Sequence, residues 1–193
     1  MKQLLYLHGF NSSPQSHKAR VTAQWFARNH PDVVFQCPTL SLYPEEAGAT
    51  LERVVDDIGS PSLLVLGSSM GGFYATWVAA RCRCPAVLIN PAVRPWQGRE
   101  YLLGEQTNYH TGETHWFEQR DIDAFARFDV NPLPQPGRFL VLLQTGDEVL
   151  DYRLAADKYR DCELVVEEGG DHAFQGYERH LPKIHQFWMQ QIS

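Results

Sequence analysis

The chain has 193 residues, 44% hydrophobic and 21% charged, a balance that excludes a disordered or low-complexity protein and suits one domain burying roughly 70% of its unfolded surface. Its 17 Lys and Arg against 23 Asp and Glu give a formal net charge of −6, which argues against nucleic acid or an anionic membrane as partner, because both select clustered cations. Among the cysteines Cys37, Cys82, Cys84 and Cys162 there is one C-x-C and no second close pair, so zinc spacings are not met and reduced, largely buried thiols are expected.

The N-terminal stretch "MKQLLYLHGF" carries one Lys and a short apolar run, too short for a signal-peptide core or a bilayer span, so a cytoplasmic protein is expected. Within it Gln3–Leu7 reads as a strand. Val21, Trp25 and Phe26 then recur at helical spacing within Gln15–Asn29. A second strand, Asp32–Gln36, precedes Glu45–Ile58, where Leu51, Val54, Val55 and Ile58 share one helical face. A third, Ser62–Leu66, gives way to Gly72–Arg81, which is apolar on most sides and so suits a helix buried against a sheet. Ala86–Asn90, Arg138–Gln144 and Glu163–Glu167 complete the strands, with further helices over Tyr152–Tyr159 and Phe174–Gln190. Each strand is nearly continuous in hydrophobicity rather than alternating, as parallel strands covered on both faces are. The rhythm predicts an α/β fold: one domain over 1–193, with a doubly wound, mostly parallel sheet of about six strands.

Val93 to Phe128 breaks that rhythm. It offers no convincing strand yet holds Trp96, Tyr101, Tyr109, Trp116, Phe117, Phe125 and Phe128. It reads either as a short helical cap inserted at 93–128 or as a helical excursion that completes the core. His110 and His115 within it match no regular ligand spacing, so no metal is expected there. "NPLPQPG" at Asn131–Gly137 is a rigid lead into the next strand.

The junction "LLVLGSSMGGFYATW" fits G-x-S-x-G in one register only, with Ser69 at its centre between Gly67 and Gly71. A strand that turns sharply into a helix around a serine puts that hydroxyl in a strained, exposed position, and the tight turn requires glycine two residues to either side. The N–H of the next residue, Met70, faces any negative charge that develops there. A lone serine is a weak nucleophile, so an acid and a base should follow in the order Asp or Glu, then His. Asp147, in the loop leaving Arg138–Gln144, and His172, in the loop leaving Glu163–Glu167, supply them at the sheet edge that also carries Ser69.

Glu148 and Asp151 share the acid loop and Asp171 adjoins His172, but Asp151 stands at the N-cap of a helix, a structural role. His30, His180 and His185 lie in or beside helices and are expected to be solvated. A second oxyanion donor is expected from the loop after the first strand, where His8-Gly9 lets the N–H of Phe10 approach the reacting oxygen. Asn11, with Ser12, Ser13 or His17, is a candidate for the pocket mouth, and Trp96 is a candidate substrate contact in the insert.

Together "YLHGF", "GSSMGG", "TGDEVLDY" and "GGDHAF", in this order and at these spacings, resemble the α/β-hydrolase superfamily. The whole chain is similar to its small bacterial YqiA/YcfP-type esterases. That resemblance implies a Ser-Asp-His hydrolase acting on small carboxylic esters without a cofactor. Two departures stand out: about six strands where larger members have eight, and a short insert where many carry a substantial lid. The alternatives are an acyl-thioesterase with the same triad, and a non-catalytic binding protein that keeps the fold.

Overall fold

The computed structural model describes residues 1–59, 62–98, 102–108 and 112–192. The first half of the chain runs β1 (Lys2–Leu7), α1 (His17–Asn29), β2 (Val33–Gln36), α2 (Pro44–Ile58), β3 (Leu63–Ser68), α3 (Met70–Cys82) and β4 (Ala86–Ile89). An insert follows with β5 (Gly104–Thr107), β6 (Thr114–Phe117) and α4 (Gln119–Ala124), and the chain ends with β7 (Phe139–Gln144), α5 (Tyr152–Lys158), β8 (Glu163–Glu167) and α6 (Leu181–Gln191).

The six apolar runs pair in the order β2-β1-β3-β4-β7-β8, every neighbouring pair parallel. Because side chains alternate across the pleat, Leu5, Leu7, Leu63 and Val65 face one hydrophobic layer with Ala47, Leu51, Phe73, Val78 and Ala155 of α2, α3 and α5. Leu4, Tyr6, Leu64 and Leu66 face the other, with Ala19 and Phe26 of α1 and Ile184, Phe187 and Trp188 of α6. Every side chain of β3, β4 and β7 is buried, which is why these segments read as unbroken apolar runs. The strand order reverses between β1 and β3, and the carboxyl ends at such a switch open the crevice where ligands bind in sheets of this kind. No helix among the described residues is long and apolar enough to cross a membrane.

Several boundaries differ from the sequence expectation by a residue or two, and three of them have clear local reasons. β3 runs on to Ser68, through Gly67, because its neighbours β1 and β4 extend far enough to pair with it. Asn90 leaves β4 at φ 40°, outside the strand region. The expected single helix over Phe174–Gln190 is divided: Gly176 takes φ 68°, a 3-10 turn covers Tyr177–His180, and α6 starts with Pro182 in its first turn.

The insert is not wholly helical. β5 and β6 form an antiparallel hairpin, Gly104 opposite Phe117 and Thr107 opposite Thr114, and a reciprocal capping box between Glu118 and Asp121 opens α4 after it. The hairpin leaves little trace in the sequence because "GEQT" and "THWF" are short and half of their residues are exposed, so neither shows an apolar strand pattern. Phe117, Ile122, Phe125 and Phe128 bury into the α3 side of the core, so much of the insert completes that layer. Tyr101, Tyr109 and His110 lie outside the described residues.

The crossing of β1, β3 and α3 leaves no room for side chains. A Cβ on Gly71 would overlap the backbone carbonyls of Leu7 and His8, and both are backbone atoms that cannot swing aside. Gly71→Ala is expected to lose at least about 1–3 kcal/mol as an overpacked site, read as a fall of several degrees in thermal unfolding. Gly137→Ala, where an added Cβ meets nothing within 4 Å, is expected to stay within about 0.5 kcal/mol of the parent.

Candidate active site

Ser69 sits between the last residue of β3 and the first of α3 with φ 56° and ψ −121°, a region that non-glycine residues occupy only when their surroundings impose it. The imposition is visible in its hydrogen bonds. Its N–H donates to Ile89 O at 3.0 Å, and its carbonyl accepts from Gly72 N at 2.9 Å and Ala92 N at 3.0 Å. The flanking glycines have steric causes: a Cβ on Gly67 would overlap the Gly71 peptide, and one on Gly72 would come within 2.8 Å of Pro91 Cβ. Ser68, by contrast, is buried at the end of β3.

The expected acid and base meet this serine. His172 Nε2 lies 3.0 Å from Ser69 Oγ, and His172 Nδ1 lies 2.9 and 3.0 Å from the two carboxylate oxygens of Asp147. A carboxylate only accepts, so Nδ1 carries the proton and donates, which leaves Nε2 as the lone-pair acceptor for the Ser69 hydroxyl. The Asp147 carboxylate is itself fixed, accepting from Val149 N at 2.9 Å and Leu150 N at 2.8 Å. Its side chain is 2% exposed, against 23% for His172. Burial pushes the Asp147 carboxyl up, but hydrogen bonds from His172, Leu150 and Val149 prevail, and it stays below its ordinary value.

The competing acids have other partners. Asp151 accepts from Arg153 N at 3.0 Å and caps α5, as its position suggested. Glu148 accepts from the backbone N–H of His172 at 2.9 Å. Asp171 accepts from the Gln175 side chain through Oδ2, while its buried Oδ1 has no hydrogen-bond partner among the described residues. His30 and His185 stack face to face with centroids 3.5 Å apart. His180 is buried rather than solvated, with Nε2 3.0 Å from Glu167 Oε1, because its 3-10 turn packs back onto the end of β8.

The loop after β1 reaches the serine: a Cβ on Gly9 would stand 3.4 Å from Ser69 Cβ. Leu40 N donates to His8 Nε2 at 3.0 Å, so the neutral ring carries its proton on Nδ1 and donates to Gly9 O at 2.9 Å. The Gly9–Phe10 peptide is trans, so pinning its carbonyl towards His8 sends the Phe10 N–H the opposite way. On the insert side Phe10 meets Phe117 edge-on at 5.6 Å, and Asn108 Nδ2 donates to Ser12 O at 3.3 Å. Met70 is the first residue of α3, where the N–H has no intrahelical acceptor.

The weaker candidates are less directly placed. Asn11 is 7% exposed with φ 51°, and its Oδ1 has no hydrogen-bond partner among the described residues. Trp96 packs edge-on against Phe73 at 6.1 Å, within the hydrophobic layer rather than on the hydrogen-bonded serine system. Ser13 Oγ accepts from Gln15 N, and His17 pairs with Glu178 on the surface. Sequence reasoning missed four residues that hold the site: His8 as a ring, Lys18, Asn90 and Gln144. Lys18 Nζ donates to Ala173 O at 2.7 Å, and burial lowers its pKa against the opposing pull of Asp171 and Asp147. The available signal for Asn90 and Gln144 was a polar residue closing an otherwise apolar strand run.

The family model described as "Uncharacterised protein family (UPF0227)" matches residues 3–189, and the chain belongs to that family. A UPF0227 protein of Serratia proteamaculans is 30% identical over 190 residues, covering 95% of this chain and 97% of its own. Among solved structures, Est1E from Butyrivibrio proteoclasticus with ferulic acid bound superposes with a TM-score of 0.78 at 15% identity, over 100% of this chain and 90% of its own. The mouse alpha/beta hydrolase domain-containing protein 10 does so at 0.78 and 16%, over 99% and 90%. The fold is that of the α/β-hydrolase superfamily.

Because the Asp147 carboxyl is held below its ordinary value, the stability it contributes is present above the usual carboxylate range and is lost as pH falls through its folded-state value. Asp147→Asn is therefore expected to unfold at a lower temperature than the parent near neutral pH, with the gap closing on acidification. Thermal melts of both across an acidic pH series measure this.

Proposed function

We propose that this UPF0227 family member is a serine hydrolase that cleaves small carboxylic esters through a Ser69-His172-Asp147 triad and a covalent acyl-enzyme. The observation that carries the reading is the unbroken relay from Ser69 Oγ to His172 Nε2 at 3.0 Å and from His172 Nδ1 to Asp147 at 2.9 Å, built on a serine held at positive φ. As Ser69 Oγ attacks the ester carbonyl carbon, His172 Nε2 takes its proton and Asp147 stabilises the imidazolium. The negative charge passes to the carbonyl oxygen, which the N–H groups of Phe10 and Met70 receive at the positive end of α3. The tetrahedral intermediate collapses, its C–O bond breaks, and His172 returns the proton to the departing alcohol. A water then loses a proton to His172 and attacks the acyl carbon. The acid leaves, and the proton goes back to Ser69.

Neither a metal nor an organic cofactor has a step in this sequence. The ferulic acid held by Est1E makes esters of small aromatic acids reasonable first substrates alongside short-chain aryl esters. The reading includes a cytoplasmic setting, in keeping with four free cysteines.

Ser69→Ala is expected to lower kcat on a short-chain aryl ester by at least ~10³-fold, while Ser68→Ala keeps substantial activity. The reverse order would place the nucleophile at the other serine. A kcat/KM that favours acyl-thioesters over matched oxygen esters would move the substrate class to thioesters with the triad unchanged.

A further inference from the structure

We infer that Asn90 and Gln144, two buried carboxamides at the ends of adjacent strands, are positioning residues for His172, holding its loop at the distance from Ser69 and Asp147 that proton transfer needs. The inference rests on the triad reading above.

Asn90 follows β4 at φ 40° and is 2% exposed, and Gln144, the last residue of β7, is 3% exposed. Asn90 Nδ2 donates to the carbonyls of Asp171 at 3.0 Å and His172 at 3.3 Å, and its Oδ1 accepts from Gln144 N at 3.0 Å. Gln144 Oε1 accepts from Asp171 N at 3.2 Å and Gln175 N at 2.8 Å, while its Nε2 donates to Gln175 O and Glu167 Oε2, each at 2.9 Å. Both N–H bonds of each carboxamide are used, and so are both lone pairs of Gln144 Oε1. Five of these seven bonds end on the segment 171–175, which contains His172.

Burial makes each of those bonds consequential, because a buried amide that loses its partner keeps the full desolvation penalty. A carboxamide that merely filled the sheet edge could be satisfied by neighbouring strands. These two instead direct five of their seven bonds to one loop, so moving its backbone breaks several buried bonds together. Gly170 shows how tight the fit is, since a Cβ there would fall on the Gln144 carboxamide. From outside, Glu148 accepts from His172 N and Lys18 donates to Ala173 O, so the base is tied on both sides. Neither carboxamide bonds a side chain of the triad, so their effect on proton transfer passes through the backbone that carries the imidazole.

Displacing a reacting group by about 1 Å can cost on the order of 10²-fold in rate, so the effect should fall on turnover. The test uses the full chain in three variants. Asn90→Asp keeps an acceptor for Gln144 N and loses both donors to the loop. Gln144→Met keeps the length and loses every side-chain bond. Val33→Ala removes buried methyls at the amino end of the edge strand β2, opposite Lys2 and at the other end of the sheet from the His172 loop, and serves as a stability control. Thermal melts, kcat and KM on a short-chain aryl ester, and the His172 Nδ1 proton resonance are measured for each, below the melting temperature. The expected result is a kcat reduced roughly 10- to 100-fold, with KM changed less than about threefold and the Nδ1 resonance shifted or broadened, in Asn90→Asp and Gln144→Met but not in Val33→Ala. If one of the pair does not fold, the other is read alone. Lower melting temperatures with parental kcat and an unmoved resonance would overturn the inference. Should the parent itself show no Ser69-dependent turnover, the hydrolase reading falls, and the resonance alone still decides whether the carboxamides place His172.

Discussion

The conformation of one residue governs this molecule. Ser69 must hold a positive φ between a strand and a helix, a state costing on the order of 1–3 kcal/mol that persists only where the surroundings over-determine it. Three elements supply that restraint at once: the end of β4 accepts its N–H, α3 begins by bonding its carbonyl, and Ala92 adds a third bond. The glycines at 67, 71 and 72 follow from the same requirement, since each stands where a Cβ would meet backbone or a proline ring. The strain is carried by the most buried part of the sheet, where β1, β3 and β4 leave little freedom to relax.

From that fixed point the rest of the site is a matter of bringing loops to one edge. Parallel strands put the ends of β1, β3, β7 and β8 together, so the loops bearing Phe10, Ser69, Asp147 and His172 converge without any being close in sequence. Convergence gives neighbourhood, and hydrogen bonds give placement. Buried or half-buried polar groups supply them: His8 for the β1 loop, backbone N–H groups for Asp147, and Asn90 with Gln144 for the His172 loop. The insert contributes by packing as well, with Phe117 against Phe10 and Asn108 on the carbonyl of Ser12.

The sheet was legible because its central strands β3, β4 and β7 are buried on both faces and write unbroken apolar runs into the sequence. Ser69, Asp147 and His172 were legible because a steric rule about glycine and a topological rule about strand ends point to the same three loops, and the geometry joins them. The hairpin of the insert was not, since its strands are short and half-exposed and only Phe117 is deeply buried. Asn90 and Gln144 were hidden for another reason: each is a polar residue at the end of an apolar run, and nothing local distinguishes a carboxamide that faces water from one that holds a loop far along the chain. His180 misled in the opposite direction, because a histidine beside a helix looks solvated until the tertiary fold closes over it.

The most direct measurement is covalent labelling of the folded chain with an active-site fluorophosphonate, followed by mass mapping of the modified residue. A serine activated by His172 displaces fluoride and leaves one phosphonyl adduct, on Ser69, and Ser69→Ala gives none. An adduct on Ser68, or a folded chain that takes up no label, would contradict the assignment of Ser69 as nucleophile.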